Sequence, residues 1–437
     1  MYCGGCLRDN ALVAALRKLG HEVLMVPLYL PLTLDEEDQS AGTPLFFGGI
    51  SVYLEQKSPL FRGAPGWLHD LFASPRLLKW AAGKAAKTRA ADLGELTLSM
   101  LRGELGNQAR ELETLITWLK TQPKPDVVCL SNALLIGMVR CLKTELRIPV
   151  ACALQGEDFF LDGLPENHRA DCWRTLAERA AEVDLFIAPS QYFANLMRER
   201  LGLPADRVRV VYNGINLDGY AVEVQNHGDA SKEQPHPTPP ALGFFARMCR
   251  EKGLDTLVEA YLILRQRGRA GDLKLRVGGS CGPADEAFVN SLRARLQASG
   301  LLGDVEFHPN LDRAGKVAML RSLSVFSVPA LYGEAFGLYV IEALATGVPV
   351  VQPRTAAFPE LIEATGGGVL CTSGDARALA EAIEALLLDP PRARALGEAG
   401  RHAVTESFSA QAMAQATLTL YRELAGKGAI FGGVKPG

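Results

Sequence analysis

Two glutamates carry the densest chemical signal in this chain. They stand in LYGEAFGLYVIEALATGVPVV (331–351), with Glu334 in a glycine-bearing turn and Glu342 inside a helix that the pattern predicts from near Gly337 to Ala345. Gly347 follows as a helix stop before the next strand. Leu338 and Glu342 are about one helical turn apart and share a face. The arrangement suits a nucleoside diphosphate, because N–H groups at the helix start, near Gly337 and Leu338, can hold phosphate oxygens with help from the helix dipole. Glu342, further along that face, can accept two hydrogen bonds from a ribose diol. Glu334 can reach the hydroxyls or the reacting carbon of an attached sugar. Taken alone, the same residues also describe an amphipathic helix with one solvated glutamate.

A second stretch adds weight. In FFARMCREKGLDTL (244–257), Arg247 and Lys252 lie between a strand and a helix. Cations at the carboxyl end of a parallel strand sit where open α/β sheets bind anions. The opening MYCGGCLRDN raises a competing chemistry, since Cys3 and Cys6 have the spacing of a redox pair or half a zinc site. No second such pair or nearby histidine supplies partners, which leaves the glycines as the signal. Gly4 and Gly5 predict a turn that lets the backbone approach a phosphate or an acceptor. LQGEDFFLDGLP (154–165) puts Gln155, Glu157 and Asp158 at the end of another strand, either beside an acceptor or in a loop fixed by hydrogen bonds of Asp158. FFGGISVYLEQ (46–56) either borders the acceptor or turns tightly into a helix. Asp35 to Asp38 read as a solvated run, and no Asp-x-Asp pair ends a strand, so no metal is expected.

These side chains need elements to hold them, and short apolar runs alternate with helical stretches throughout. HEVLMVPL (21–28), DVVCLS (126–131), PVACAL (149–154), DLFIAP (184–189) and VRVVY (208–212) predict buried strands in the first half. ALGFFA (241–246), LKLRVGG (273–279), DVEFHP (304–309), SVFSVP (324–329) and VPVVQP (348–353) do so in the second. Helical patterns such as 254–268 and 376–389 fall between them, which implies parallel sheets covered on both faces. The polar, proline-rich 221–240 reads as a linker or surface insertion. The expected division is an amino-terminal domain over 1–217, a linker over 218–240, a nucleotide-sugar domain over 241–409, and a terminal helix with a loose tail over 410–437.

The 437 residues suffice for two domains, and a net charge of -3 gives the whole molecule no electrostatic attraction to nucleic acid. Nine cysteines, only two of them closely spaced, suit reduced thiols in a cytoplasmic protein. Arg8, Asp9 and Asn10 break the first apolar residues, against a secretory leader, and no apolar run is long enough to cross a bilayer.

With these motifs in view, the chain resembles the retaining GT-B glycosyltransferases of family four, the group 1 type. Glu334 to Glu342 matches that family's glutamate–seven residues–glutamate motif, and FFARMCREKG its strand, arginine and later Lys-Gly. APSQYF (188–193), VVYNGIN (210–216), FPELI (358–362) and GDARALAEAI (374–383) fall in the family's order and spacing. The resemblance implies two Rossmann-like parallel-sheet domains facing a cleft. Arg247 and Lys252 would grip the donor diphosphate, Glu342 the ribose and Glu334, as the catalytic residue, the transferred sugar. It further implies transfer from a nucleotide-sugar with retention and no metal or other cofactor; the acceptor is not named by the sequence, a glycan or lipid-linked molecule being one candidate class. Where many relatives carry a histidine near Gln155, an amide stands here, which puts the acceptor contact in question. A non-catalytic nucleotide-sugar binder and a GT-B epimerase are the competing readings. Dehydrogenase chemistry is disfavoured, since GGSCG (278–282) lacks the Gly-x-Gly-x-x-Gly spacing.

Two expectations concern the amino-terminal half. LRDNALVAALRKLGHEV (7–23) matches the family's first helix and second strand, so the first strand that should precede CGGC is missing from the sequence. Between Asp70 and Asp92, Arg76, Lys79, Lys84, Lys87 and Arg89 meet no acidic residue, and Ser74-Pro75 predicts a helix start. That basic stripe, holding Trp80, is either a solvated face or a contact for a phosphorylated acceptor or, weakly, for the anionic inner face of a membrane.

Overall fold

The computed structural model describes residues 4–28, 36–46, 90–220 and 239–431. Two compact units emerge: one comprises Met1–Leu12, Leu34–Glu37 and Tyr212–Met413, the other Val13–Thr33, Asp38–Val211 and Ala414–Gly437. The expected boundaries at 217, 240 and 409 differ from these, because the helix Gly4–Lys18 and the terminal helix Ala410–Phe431 are each shared between the units.

Each unit is built on a parallel, Rossmann-like sheet. In one, β1 (Val128–Leu130), β2 (Val150–Ala153), β3 (Leu185–Ala188) and β4 (Val208–Val210) lie in that order, all parallel. β2 and β3 are buried at every position, as their unbroken apolar runs require of a sheet covered on both faces. In the other, β5 (Ala241–Phe245), β6 (Lys274–Gly279), β7 (Val305–Pro309), β8 (Val325–Phe326), β9 (Val350–Pro353) and β10 (Gly368–Cys371) take the order β10-β9-β8-β5-β6-β7. The chain runs outward from β5 through β6 and β7, then crosses back to β8 on its other side. That reversal is a topological switch point, where loops leave neighbouring strands in opposite directions and open a crevice at the carboxyl ends. Phe244, Tyr261, Phe326 and Phe358 pack this sheet from within and are fully buried. Burial of each such ring stabilises by about 1.5–3 kcal/mol.

Two sequence expectations need correction. His21–Leu28 is not a strand: no described segment pairs with it, and Leu24 is half exposed. An apolar run becomes a strand only with a neighbour to complete its ladder. Here the Arg17 guanidinium takes up the Val23 carbonyl instead, at 3.0 and 2.7 Å. Conversely, β10 is not among the strands expected from the sequence, where Gly366, Gly367 and Gly368 leave only a short apolar run. The last two are packing glycines: a Cβ on Gly367 would come within 2.4 Å of Leu344, and one on Gly368 within 2.4 Å of the Val350 carbonyl. The expected linker over 221–238, the glycine pair of 46–56 beyond Phe46, and the basic helix over 74–89 lie outside the described residues. Cys172, Cys249 and Cys371 are buried, and burial pushes each thiol up to about 11.

The loops after β5 and β8 meet backbone to backbone. Gly253 adopts φ 73° with its Cα against β8's outgoing chain, so that a Cβ there would fall 1.9 Å from the Pro329 carbonyl. Beside it, Leu331 N–H donates to the Glu251 carbonyl at 3.0 Å. Gly253→Ala therefore meets both a left-handed backbone and a backbone clash. It should lower unfolding free energy by about 1–3 kcal/mol, read as a drop in the chemical-denaturation midpoint.

Candidate functional site

The crevice between β5 and β8 gathers the chemistry. After β5, Cys249 leads into a tight turn over Arg250–Lys252, closed by Gly253 before the helix Leu254–Arg267. After β8, the turn holding Tyr332 and Glu334 leads to Gly337 at φ 93°, which caps the helix Leu338–Ala345. A side chain at Gly337 would be strained and crowd Phe358 at 3.2 Å, so glycine is what lets the helix begin there. Of its first-turn N–H groups, Val340 already donates to the Gly337 carbonyl at 2.9 Å, whereas those of Leu338 and Tyr339 have no carbonyl one turn back to bind, which leaves these two for an anion.

The side chains within this frame are already paired. Lys252 Nζ lies 2.5 Å from Glu334 Oε2, and both are largely buried, at 18% and 13% side-chain exposure. The same oxygen accepts from the hydroxyls of Tyr339 at 2.8 Å and Tyr332 at 3.1 Å. Lys252 also donates to the Tyr332 hydroxyl oxygen and lies over both rings, 4.8 and 5.1 Å from their centroids. Burial acts to raise the Glu334 carboxyl, but the Lys252 charge and hydrogen bond with the two hydroxyls outweigh it and hold it below its ordinary value.

Glu342 follows the same plan. Lys316, on the helix Arg313–Arg321 and nearly fully buried, meets its Oε1 at 2.6 Å, and the buried Tyr220 hydroxyl donates to that oxygen at 3.3 Å. Each glutamate thus takes its hydrogen bonds on one oxygen, and Glu334 Oε1 and Glu342 Oε2 take none from the described residues. Neither open oxygen is a buried orphan. Arg247 forms a forked pair with Asp285, through Nε at 3.0 Å and Nη2 at 2.9 Å, while its own side chain stays more than half exposed. A cavity of about 270 Å³ opens alongside, lined by Met248, Cys281, Asn290, Arg293, Phe307 and Asn310.

Several expected roles change place. The two cations are not bare, and Glu342 is not solvated: each charge has a partner before any ligand arrives. Gly4 and Gly5 do not form a loop but open the helix Gly4–Lys18, where a Cβ on Gly4 would rest 3.6 Å from Leu338. The helix propagates through them because the apolar period of 7–16 continues unbroken behind. Gln155 and Asp158 belong to the other unit, at the carboxyl end of β2. That loop is fixed by Glu157, its buried carboxylate accepting N–H bonds from Ala133, Gln155 and Gly156 at 2.8, 2.9 and 3.0 Å. Gln155 Nε2 and Asp158 Oδ1 are buried with no hydrogen-bond partner among the described residues, and burial raises the Asp158 carboxyl. The sequence reading missed Tyr332, Tyr339, Lys316, Tyr220 and Asp285. Only the tyrosines, flanking Glu334 along the chain, left a signal there.

Because Lys316 is buried against Glu342, Glu342→Ala leaves an uncompensated ammonium in the interior. That variant should lose roughly 3–5 kcal/mol of stability, and adding Lys316→Met should restore most of it. Equilibrium urea unfolding of the single and double variants checks this: equal losses in both would show that the pair is not what stabilises the site.

Comparison with known proteins places this architecture. The family model for glycosyl transferases group 1 matches residues 228–403, and that for glycosyltransferase family 4 matches residues 94–218. The chain is 30% identical to alpha-maltose-1-phosphate synthase of Mycolicibacterium smegmatis, over 59% of this chain and 67% of that one. It is 29% identical to D-inositol 3-phosphate glycosyltransferase of Corynebacterium jeikeium, over 60% of this chain but only 61% of the relative's length. In structure it superposes on Anabaena HepE, solved in complex with UDP, with a TM-score of 0.61 at 17% identity, covering 92% of this chain and all of that one. With two parallel Rossmann-like sheets, two family models in tandem and the paired glutamates at the switch point, this chain belongs to the group 1 glycosyltransferases of the GT-B fold.

Proposed function

We propose that this protein transfers a sugar from a nucleoside-diphosphate donor to a hydroxyl acceptor with retention of configuration. The observation that carries the reading is the convergence of Lys252, Glu334 and the Leu338 helix start at the switch point of one sheet. The diphosphate would lie over the helix start, its charge met by Lys252, by the exposed Arg247 and by the first-turn N–H groups rather than by a metal. The open Oε2 of Glu342 would accept from the ribose diol, and the open Oε1 of Glu334 from a sugar hydroxyl. Held ionised beside an ammonium, Glu334 is a poor proton acceptor, so its part is to orient the sugar and to balance positive charge developing at the reacting carbon. Retention is what the resemblance of the glutamate–seven residues–glutamate motif to that of the retaining glycosyltransferases implies. The names of the relatives, which include an inositol phosphate glycosyltransferase, favour a small or lipid-linked polyol or glycan as acceptor. The orphaned Gln155 and Asp158 atoms are the candidates to meet it. A cytoplasmic site of action, with weak contact to an anionic membrane through the basic residues of 76–89, belongs to the same reading. No described helix is long and apolar enough to cross a bilayer.

The test is a thermal-shift screen of UDP-, GDP- and ADP-sugars, followed by NMR of the anomeric proton in the product. One donor class should raise the melting temperature, since a ligand bound only by the folded state stabilises it, and the product should keep the donor's anomeric configuration. Stabilisation without turnover on any acceptor would instead favour a binding protein, and an inverted product would overturn retention. Arg247→Ala takes the guanidinium from the buried Asp285 and so should lose some stability, and, assayed at a temperature where it is folded, should lose roughly 10- to 1000-fold in turnover at saturating donor.

A further inference from the structure

The proposed function leaves a physical difficulty at Glu334. The cation paired with it among the described residues is Lys252, the same ammonium assigned to the diphosphate. An anion arriving on Lys252 shares that charge and adds a like charge beside a carboxylate that is only 13% exposed. The least costly relief for a buried carboxylate in that position is to take up a proton. A protonated Glu334 would present a weaker acceptor to the sugar, and an O–H where the open oxygen is needed.

The site contains a second means of relief. Tyr339 and Tyr332 donate to Oε2 at 2.8 and 3.1 Å, on the oxygen Lys252 also holds, and leave Oε1 clear. Their hydroxyls carry no net charge, so a diphosphate does not compete for them electrostatically. Tyr339 is buried, and burial together with the adjacent Glu334 keeps its phenol protonated and donating. Tyr332 changes little when Lys252 turns away, because it accepts from Lys252 through its oxygen while donating its own proton to Glu334. Among the described residues, Lys252, Tyr332 and Tyr339 are the groups that act most strongly on Glu334.

Resting on the donor reading above, we propose that Tyr332 and Tyr339 are positioning residues that keep Glu334 a carboxylate, with Oε1 facing the sugar, while Lys252 engages the donor diphosphate. The consequence is a proton count. In the native chain, nucleoside diphosphate binding should leave Glu334 ionised. In Tyr332→Phe/Tyr339→Phe it should draw a proton onto Glu334.

The experiment is isothermal titration calorimetry of UDP, GDP and ADP on the full chain at pH 7.5 and at pH 6.5, each in two buffers of different ionisation enthalpy. The difference in proton uptake between the double variant and the native chain cancels protons lost by the nucleotide itself. The expected result is extra uptake of a measurable fraction of a proton per nucleotide in the double variant, larger at pH 6.5, and abolished when Glu334→Gln is added. Tyr339→Phe alone, which keeps one hydroxyl, should show a smaller uptake and serves if the double variant does not fold. Binding with the same proton count in native and variant chains overturns this inference and leaves the donor reading standing. Failure of all three nucleotides to bind the native chain overturns the donor reading itself.

Discussion

A carboxylate held mostly out of water, as Glu334 is, must be compensated by its neighbours, and that requirement shapes the carboxy-terminal half of this protein. Lys252 reaches Glu334 because a tight turn after β5 is closed by a glycine at positive φ. Glu334 reaches Lys252 because the turn after β8 ends at another such glycine. Each side chain is placed by backbone that few other residues could adopt. The two loops start from adjacent strands, and the reversal of chain direction at β5 is what brings them face to face.

The same economy of charge recurs around the crevice. Arg247 is neutralised by Asp285, Lys252 by Glu334 and Lys316 by Glu342. An empty site with three bare cations and three bare carboxylates would carry a large self-energy in a medium less polar than water. Pairing them in advance removes that cost and leaves one acceptor oxygen open on each glutamate. Ligand binding is then an exchange of partners, and its net energy is set by differences between pairs rather than by the attraction of an unopposed charge.

The legibility of this site in the sequence follows the same division. Glu334, Glu342, Arg247 and Lys252 could be read because each sits in a local pattern of strand, glycine and helix that says where a side chain will emerge. Their partners could not. Asp285 lies far along the chain from Arg247, Lys316 and Tyr220 reach Glu342 from separate elements, and nothing in local spacing marks them. The strand pattern succeeded wherever an apolar run had a neighbour to pair with. It failed at 21–28, which has none among the described residues, and at β10, whose glycines serve close packing rather than a turn. Gly4 and Gly5 misled for a related reason, since helix continuation from the residues behind them outweighs the permissiveness of glycine.

The backbone junction between the two crevice loops bears on how such a site can be altered. Glu251 and Leu331 share a hydrogen bond, and Gly253 lies flush against the Pro329 carbonyl. The segments around 247–253 and 329–337 are therefore one piece of surface made from two pieces of chain. A graft from a relative that replaces either alone would import a loop shaped to a missing counterpart. For recombination, natural or in the laboratory, the heritable unit is the pair, although nearly eighty residues of chain separate its halves.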